Sequence, residues 1–295
     1  MFIKYPHIER IGNTEVEGIE TGECYVFPKL DGTNASVWWE DGIQAGSRTR
    51  HLSEEKDNAG FFKEIKNDTK IHFLLKHYPD LHLFGEFLVP HTLRSYRDDA
   101  WRKFYVFDVM RDKETFLTYK EYAPLLQGFG IEFIPCYKKI NNGTLEDFYR
   151  EAKNIKYLLQ SPDDFGEGVV IKNYSYINKY GRYAIAKLVL EEFKERFHAN
   201  IELGGPPSVG SEKISEKTFL DNCMSRALVE KEFAKLALDG WESKKIGKLL
   251  DNVYQALIIE ELGNELLRNR YETLNFGRLR QLTIMRIKQM KPEIF

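Results

Sequence analysis

Residues 29–34, with the sequence KLDGTN, are the part of the chain whose residue types could do chemistry. Apolar runs at 25–27 and 36–39 predict a strand on each side, and Asp31-Gly32 between them is typical of a tight turn, in which glycine adopts a positive φ. Lys29 is therefore expected at a strand end. A free lysine has a pKa of about 10.4, so it could act as a nucleophile only if its neighbours favoured the neutral amine. The alternative is a solvated lysine in a hairpin.

Arginines and lone acids follow farther along. Arg48 and Arg50 end a short predicted strand at alternate positions, which share one face, although a solvated edge is the ordinary interpretation. Glu86 interrupts the apolar run 81–89, where a carboxylate is costly unless it points outward or is committed to a ligand. Glu167 lies between two glycines, which would let the backbone approach a ligand closely.

Two later strands each contain one lysine in apolar surroundings, Lys172 and Lys187. A buried ammonium needs a partner. The alternative is an edge lysine whose stem lies on the sheet and whose charge reaches water.

Net charge, cysteine spacing and the lengths of apolar runs limit the kinds of protein this chain could be. The chain has 295 residues and a net charge of −2, so it has room for two domains but no global field to attract a polyanion. The three cysteines show no CxxC spacing, which argues against a disulfide framework or zinc site and favours a reducing compartment. We find no secretory signal and no apolar run of 18 residues, and we expect a monomer in the cytoplasm or elsewhere inside the cell, with no membrane partner.

The patterning predicts the elements that would position these residues. We expect two helices within 54–78, divided near Asn67-Asp68, and helices at 119–126 and 144–159. Strands are expected at 81–89, 104–109, 131–137, 167–172 and 183–190.

The texture changes at 203–210, where glycine and proline are frequent and indicate a linker. Beyond it the apolar period becomes helical, with Ile246, Leu249, Val253 and Leu257 on one face. The chain thus predicts an α+β fold with a mixed domain at 1–210 and a small all-α domain at 211–295. The last helix is basic, which suits either solvent or phosphate contacts.

In order, these residues resemble the motifs of the covalent nucleotidyltransferase superfamily of polynucleotide ligases and mRNA capping enzymes. Residues 29–34 are similar to the nucleophile motif and 47–49 to the short arginine motif; 84–86, 104–108, 167–172 and Lys187 are similar to the later motifs. The Gly-Thr-Asn ending and the helical C-terminus resemble RNA ligases of the T4 RNA ligase 2 type. DNA ligases and capping enzymes would instead continue into a β-barrel.

The resemblance implies a nucleotidyltransferase domain of antiparallel sheets flanked by helices, and an ATP-dependent RNA ligase. Lys29 would attack the α-phosphorus of ATP, release pyrophosphate and form lysyl-AMP. The adenylate would pass to an RNA 5′-phosphate, and a 3′-hydroxyl would displace AMP. The implied partner is RNA with such ends, as in a nicked duplex.

The resemblance also implies individual roles. Lys29, Lys172 and Lys187 would be catalytic, and the nucleotide would be bound by these three with Asn34, Arg48, Glu86 and Phe107. Glu86 would contact the ribose and Phe107 would stack on adenine, unless Phe107 is a core residue. Glu167 would bind Mg²⁺, with Mn²⁺ as a substitute. The metal, Lys172 and Lys187 are the cations expected to lower the pKa of Lys29. RNA contacts would come from Asn34, Arg50, Arg278, Arg280, Arg286 and Lys288.

Two positions depart from the family pattern. Val189 stands where a second lysine is common, so Arg182 or a C-terminal arginine would have to substitute, or adenylation would be slower. Pro28 precedes the nucleophile where relatives often have a polar residue near the base. A DNA ligase, a GTP-using capping enzyme and a non-catalytic nucleic-acid binding protein therefore stay as alternatives.

Overall fold

The computed structural model describes residues 1–13, 15–90, 93–178, 183–190, 216–237, 240–262 and 275–295, without the side chains of 218, 222, 260 and 261. It divides into one unit at Met1–Leu188 and another at Val189–Phe295. The predicted linker at 203–210 and Arg182 lie outside the described residues. The domain boundary at 210 therefore stays a prediction.

The first unit is built on two sheets. Its strands are β1 (Glu9–Arg10), β2 (Glu23–Lys29), β3 (Thr33–Trp39), β4 (Ile43–Ser47), β5 (Leu81–Phe87), β6 (Phe104–Arg111), β7 (Thr115–Phe116), β8 (Lys138–Asn141), β9 (Gly168–Ile177) and β10 (Tyr183–Val189). The first sheet has the order β1-β10-β9-β2-β8 and the second the order β4-β3-β5-β6-β7. Of the described pairings, only that of β1 with β10 is parallel within these sheets. The predicted α+β fold with antiparallel sheets is confirmed.

The alternative interpretation, a solvated lysine in a hairpin at Asp31-Gly32, is wrong. Strands β2 and β3 form as predicted, but β2 belongs to the first sheet and β3 to the second, so the turn crosses between sheets. Gly32 does not have the positive φ expected of a glycine in such a turn. Glycine is required here because there is no room for a side chain: a Cβ would lie 2.4 Å from the carbonyl oxygen of Phe87.

Four helices flank the two sheets: three pack on the second sheet, and the fourth lies against β2 and β9 of the first. They are α1 (Phe61–Lys66), α2 (Thr69–His77), α3 (Tyr119–Gly128) and α4 (Leu145–Asn154). The predicted break between α1 and α2 is confirmed, because the Asp68 side chain accepts hydrogen bonds from the backbone N–H groups of Lys70 and Ile71. Such a cap stabilises a helix start by about 1 kcal/mol. Residues of α1, α2 and α3 pack with β3, β5 and β6 in one buried apolar cluster.

Two predicted elements differ from the structure. The strand expected at 131–137 is found at Lys138–Asn141, and the stretch before it makes only an isolated bridge through Phe133. The helix expected at 144–159 begins as predicted after the capping residue Thr144, but it ends at Asn154. Ile155 then adopts extended backbone angles, which ends the helical hydrogen bonding.

The described residues from Glu216 onward are mainly helical. They form α5 (Glu216–Cys223), α6 (Arg226–Ala237), α7 (Ile246–Leu257) and α8 (Phe276–Met290). The predicted apolar face of α7 is confirmed, since Leu249, Val253 and Leu257 are fully buried in this unit's own cluster. No helix within the described ranges is long and apolar enough to cross a membrane.

Candidate active site

Lys29 lies at the end of β2, opposite Gly168 at the start of β9. Its Nζ donates a hydrogen bond of 2.6 Å to Oε2 of Glu167, which directly precedes β9. The side chains are 19% and 12% exposed, so the pair is shielded but reaches a surface. The structure thus brings together the predicted nucleophile and the predicted metal-binding acid.

The loop after Lys29 is held from three directions. The backbone N–H of Gly32 donates to Oε1 of Glu86 at 3.0 Å, and the N–H of Asp31 donates to the Tyr96 hydroxyl at 3.0 Å. The Asp31 carboxylate in turn accepts from the backbone N–H of Leu93 at 2.7 Å. A loop with this many fixed polar groups holds the neighbouring lysine in one place.

Acids dominate the electrostatics around Lys29. Burial favours the neutral amine, but the carboxylates of Glu167 and Glu86 outweigh it and raise the pKa of Lys29 above its ordinary value. Burial raises the pKa of Glu86 to about 7, although the positive charge of Lys29 opposes the change. The expected lowering of the lysine pKa by cations is therefore opposite to the direction found, because the groups in contact with Lys29 are carboxylates.

Lys172 joins the two sheets at a different point. Its Nζ donates to Oδ1 of Asp108 at 2.6 Å and to the carbonyl oxygen of Phe107 at 2.7 Å. Both charged side chains are almost completely buried. Lys172 pairs in the sheet with Tyr25, four residues from Lys29 along β2, which is about 13 Å along a strand. The structure therefore places Lys172 in a buried ion pair and not against the Lys29–Glu167 pair.

Phe107 stands at an irregularity in β6. Phe84 pairs with Asp108 and Gly85 pairs with Val106, so Phe107 is the extra residue of a β-bulge. A bulge re-aims the side chain it contains. Phe107 is half-buried and its ring meets that of Tyr5 edge-on, with the centroids 5.0 Å apart. Phe107 packs against two buried apolar clusters, yet the residue stays partly accessible.

Lys187 lies on β10, in the same sheet as Lys29, with β9 between the two strands. Its side chain is 6% exposed and its backbone carbonyl accepts from the N–H of Ile11 at 2.9 Å. Val189, the position of the missing second lysine, is the last residue of the same strand and is half-buried.

The two arginines after β4 do not share a strand face, because the strand ends at Ser47. Arg48 donates to Nδ1 of His7 at 3.0 Å. The Arg50 guanidinium donates to the carbonyl oxygens of Lys56 and Asp57, at 2.6 and 3.0 Å. Both arginines are exposed. Asn34 is half-buried on β3 and pairs with Glu86.

The basic residues of α8 face acids of their own unit. Arg280 bonds Asp251 at 2.5 Å, Arg286 bonds Asp221 at 2.7 Å, and Arg278 lies 3.7 Å from Glu216. Lys288 lies over the ring of Phe295. Such exposed pairs contribute about 0–1 kcal/mol each, so they do not prevent these side chains from exchanging to another anion.

The residues at Lys29 suit a hard divalent cation. Glu167, Glu86 and Asp31 all act on the one ammonium, which leaves the cluster with an excess of carboxylate charge. In the part of the chain that the structure describes, no group of three or more His, Cys, Asp or Glu residues could hold a metal alone. A Mg²⁺ or Mn²⁺ ion here would therefore need oxygen ligands from substrate and water besides Glu167.

Sequence reasoning gave no role to three contributors. Asp108 was visible as a lone acid in an apolar strand, the same signal that singled out Glu86. Tyr96 was visible only as an aromatic residue in a basic stretch, with nothing to predict its bond to Asp31. Tyr5 reaches the buried pair by donating its hydroxyl to Asp108, and no feature of the sequence predicts that contact.

Solved structures with the same fold include Naegleria gruberi RNA ligase. A variant with ATP and Mn has a TM-score of 0.51 and 23% identity, covering 66% of this chain and 58% of that chain. Another variant with AMP and Mn gives the same values. This chain thus spans less than two thirds of the length of those proteins. Comparison with curated protein sequences gives no match. The RNA ligase family model matches residues 22–189, which is more than half of the chain, and the chain belongs to that family.

Proposed function

We propose that the protein is an ATP-dependent RNA ligase that joins a 5′-phosphate to a 3′-hydroxyl through an adenylate on Lys29. The observation that carries the proposal is the hydrogen bond between Lys29 and Glu167, in a shielded site ringed by further acids. Family membership supports an RNA substrate, and the complexes of the Naegleria gruberi enzyme with ATP, AMP and Mn support the nucleotide and the metal.

In the first step Lys29 attacks the α-phosphorus and pyrophosphate leaves, so a P–N bond replaces a P–O bond. The ammonium must first lose a proton to solvent and give up its hydrogen bond to the Glu167 carboxylate. The bonds from Glu86 and Tyr96 to the loop backbone fix the direction from which the amine approaches. Sealing then transfers AMP to the RNA 5′-phosphate, and the 3′-hydroxyl releases it.

Substrate binding falls to residues around this loop. Glu86, which holds the nucleophile loop, is proposed to contact the ribose, and Phe107, on the bulge, is proposed to stack on the base. Glu167 would hold Mg²⁺ or Mn²⁺, which supplies positive charge to the phosphate oxygens. Lys172 and Lys187, on neighbouring strands of the first sheet, are proposed to act on the nucleotide phosphates. Arg48 and Asn34 are proposed to lie near the nucleotide phosphate or the RNA end. Arg50 and the α8 residues Arg278, Arg280, Arg286 and Lys288 are proposed RNA contacts.

Covalent labelling tests the proposal. The purified chain mixed with α-radiolabelled ATP and Mg²⁺ should gain one label that survives denaturation, and Lys29→Ala should gain none. Lys76→Ala, at an exposed lysine in the last turn of α2, is the matched control and should label as the wild type does. Peptide mass spectrometry should then locate AMP on Lys29. A label that persists in Lys29→Ala would contradict the assignment.

Substrate choice separates this proposal from its alternatives. The labelled protein should seal a nicked RNA duplex with a 5′-phosphate and fail on a 5′-hydroxyl nick. Labelling by GTP in preference to ATP would indicate a capping enzyme, and equal sealing of an all-DNA nick would indicate a DNA ligase. RNA binding without labelling by any nucleotide would indicate a non-catalytic protein.

A further inference from the structure

The N-terminal residues before β1 pack against the site described above, although the family model begins only at residue 22. Tyr5 is 5% exposed and shares an apolar cluster with Phe84 and Met110, against which Phe107 packs. The same segment contributes His7, which accepts a hydrogen bond from Arg48. Residues outside the matched stretch therefore contact two residues of the proposed nucleotide site.

Tyr5 makes two different contacts with the bulge. Its ring meets Phe107 edge-on at 5.0 Å, and its hydroxyl donates to Oδ2 of Asp108, the next residue. Asp108 is fully buried, and its other carboxylate oxygen accepts from Lys172. Lys172 then donates to the carbonyl oxygen of Phe107. The chain of contacts from Tyr5 thus closes on the backbone of the bulged residue.

A bulged residue has lost its regular partner in the sheet, so its orientation depends on other contacts. The Phe107 carbonyl has Lys172 and the Tyr122 hydroxyl as donors, the latter at 2.9 Å. The Phe107 ring is restrained on one side by Tyr5. Without the phenol, both the ring and the carboxylate that orders Lys172 would lose a fixed neighbour.

We infer that Tyr5 is a positioning residue for the nucleobase, because its hydroxyl and ring together hold the Phe107 bulge in the orientation that stacks on the base. The inference rests on the proposed function, in which Phe107 contacts adenine. Tyr5 touches no reacting atom, so it should govern the affinity for the base and leave the chemistry at Lys29 intact.

The test is the rate of Lys29 labelling as a function of ATP concentration, using the full chain. Tyr5→Phe keeps the ring and removes the bond to Asp108; we expect the KM for ATP to rise about fivefold or more with kcat within about twofold. Tyr105→Phe is the matched control. Tyr105 is buried on β6, the strand that contains Phe107, but its hydroxyl donates to the carbonyl oxygen of Ala100 and not to Asp108. This control should change neither value.

A second measurement separates positioning from a general loss of structure. Inorganic tripolyphosphate has no base, so its inhibition of labelling should be the same in the wild type and in Tyr5→Phe. A KM for Tyr5→Phe equal to that for Tyr105→Phe, or a parallel weakening of tripolyphosphate inhibition, would overturn the inference. Should the wild type not label at all, the proposed function fails separately. In that case the affinity for ATP, measured by calorimetry, tests the role of Tyr5. Equal affinities of the wild type and Tyr5→Phe would contradict that role.

Discussion

Two largely buried basic residues of the first unit, Lys29 and His82, have pKa values shifted in opposite directions. At Lys29 the acids in contact stabilise the ammonium. At His82 no such partner compensates: the ring is 2% exposed, lies between Trp38 and Phe84 at centroid distances of 4.8 and 4.6 Å, and its Nε2 has no hydrogen-bond partner. Burial lowers the pKa of His82 to about 3. One residue therefore keeps its charge and the other must stay neutral.

His82 should make the first unit sensitive to acid. Because the folded state disfavours the imidazolium, the unfolded state binds more protons below a pH of about 6.5, and the free energy of unfolding falls as pH decreases toward about 3. At pH 5 the loss would be about 2 kcal/mol relative to pH 7. Urea unfolding of wild type and His82→Phe at both pH values measures it. Phenylalanine keeps the stacking, so an equal pH effect in both proteins would show that His82 is not the cause.

The sequence predicted Glu86 and Glu167 because each acid stands out against apolar or glycine neighbours, and the structure brings both to the Lys29 loop. The family resemblance placed Lys172 near the same phosphate, and strand patterning could not correct that role, because it shows which residues lie on strands but not which distant acid each one meets. The Asp108 partner lies on a strand of the other sheet. Contacts between sheets depend on packing, which local sequence does not encode.

At the scale of elements, the Lys172–Asp108 pair ties β9 to β6 across the two sheets. Lys172→Met leaves a buried carboxylate with only its tyrosine donors, and we expect a loss of about 3 kcal/mol in the free energy of unfolding. The double variant with Asp108→Asn should be more stable than the sum of the two single changes predicts. If Lys172 also acts on the nucleotide, the double variant recovers stability but not labelling. Strictly additive losses would show that the two side chains do not depend on each other.

The connection from β2 to β3 is the second element-scale feature. Two apolar runs around Asp31-Gly32 predicted the strands correctly, yet a local pattern cannot tell whether consecutive strands pair or enter different sheets. Only the packing of the turn against β5 explains the glycine, since the space for a side chain is taken by the backbone of Phe87 and Leu88.

Gly32→Ala should therefore displace the nucleophile loop. The added Cβ would meet the Phe87 carbonyl oxygen at 2.4 Å and force apart the Gly32–Glu86 hydrogen bond. We expect labelling to slow about tenfold or more, because small displacements of reacting groups are costly, and stability to fall by about 1–3 kcal/mol. Gly128→Ala in α3 meets nothing within 4 Å and serves as the control. Labelling by Gly32→Ala at the rate of Gly128→Ala would mean that the close approach does not hold the nucleophile.

At the scale of the whole molecule, each buried cluster described above draws its residues from one unit. The change from alternating to helical patterning is the basis for expecting a second, helical domain after residue 210, since strands and helices impose different spacings on apolar residues, and that boundary stays a prediction. The patterning could not predict that the basic side chains of α8 pair with Asp221 and Asp251, which are separated from them in the chain. The number of basic residues in a helix does not show whether their charges are paired with acids of the same unit or are available to bind phosphate.

Removing residues 211–295 should separate the two halves of the reaction. Because the first unit contains Lys29, Glu86, Glu167 and its own apolar core, the shortened chain should still label with ATP and should lose sealing of a nicked RNA duplex. The full chain with Arg278, Arg280 and Arg286 all changed to Ala is the companion variant, since the surface pairs it removes contribute little to folding. Its RNA affinity should be lower and should depend less on salt, because fewer phosphate charges are neutralised. Sealing by both variants at the wild-type rate would place RNA binding in the first unit instead.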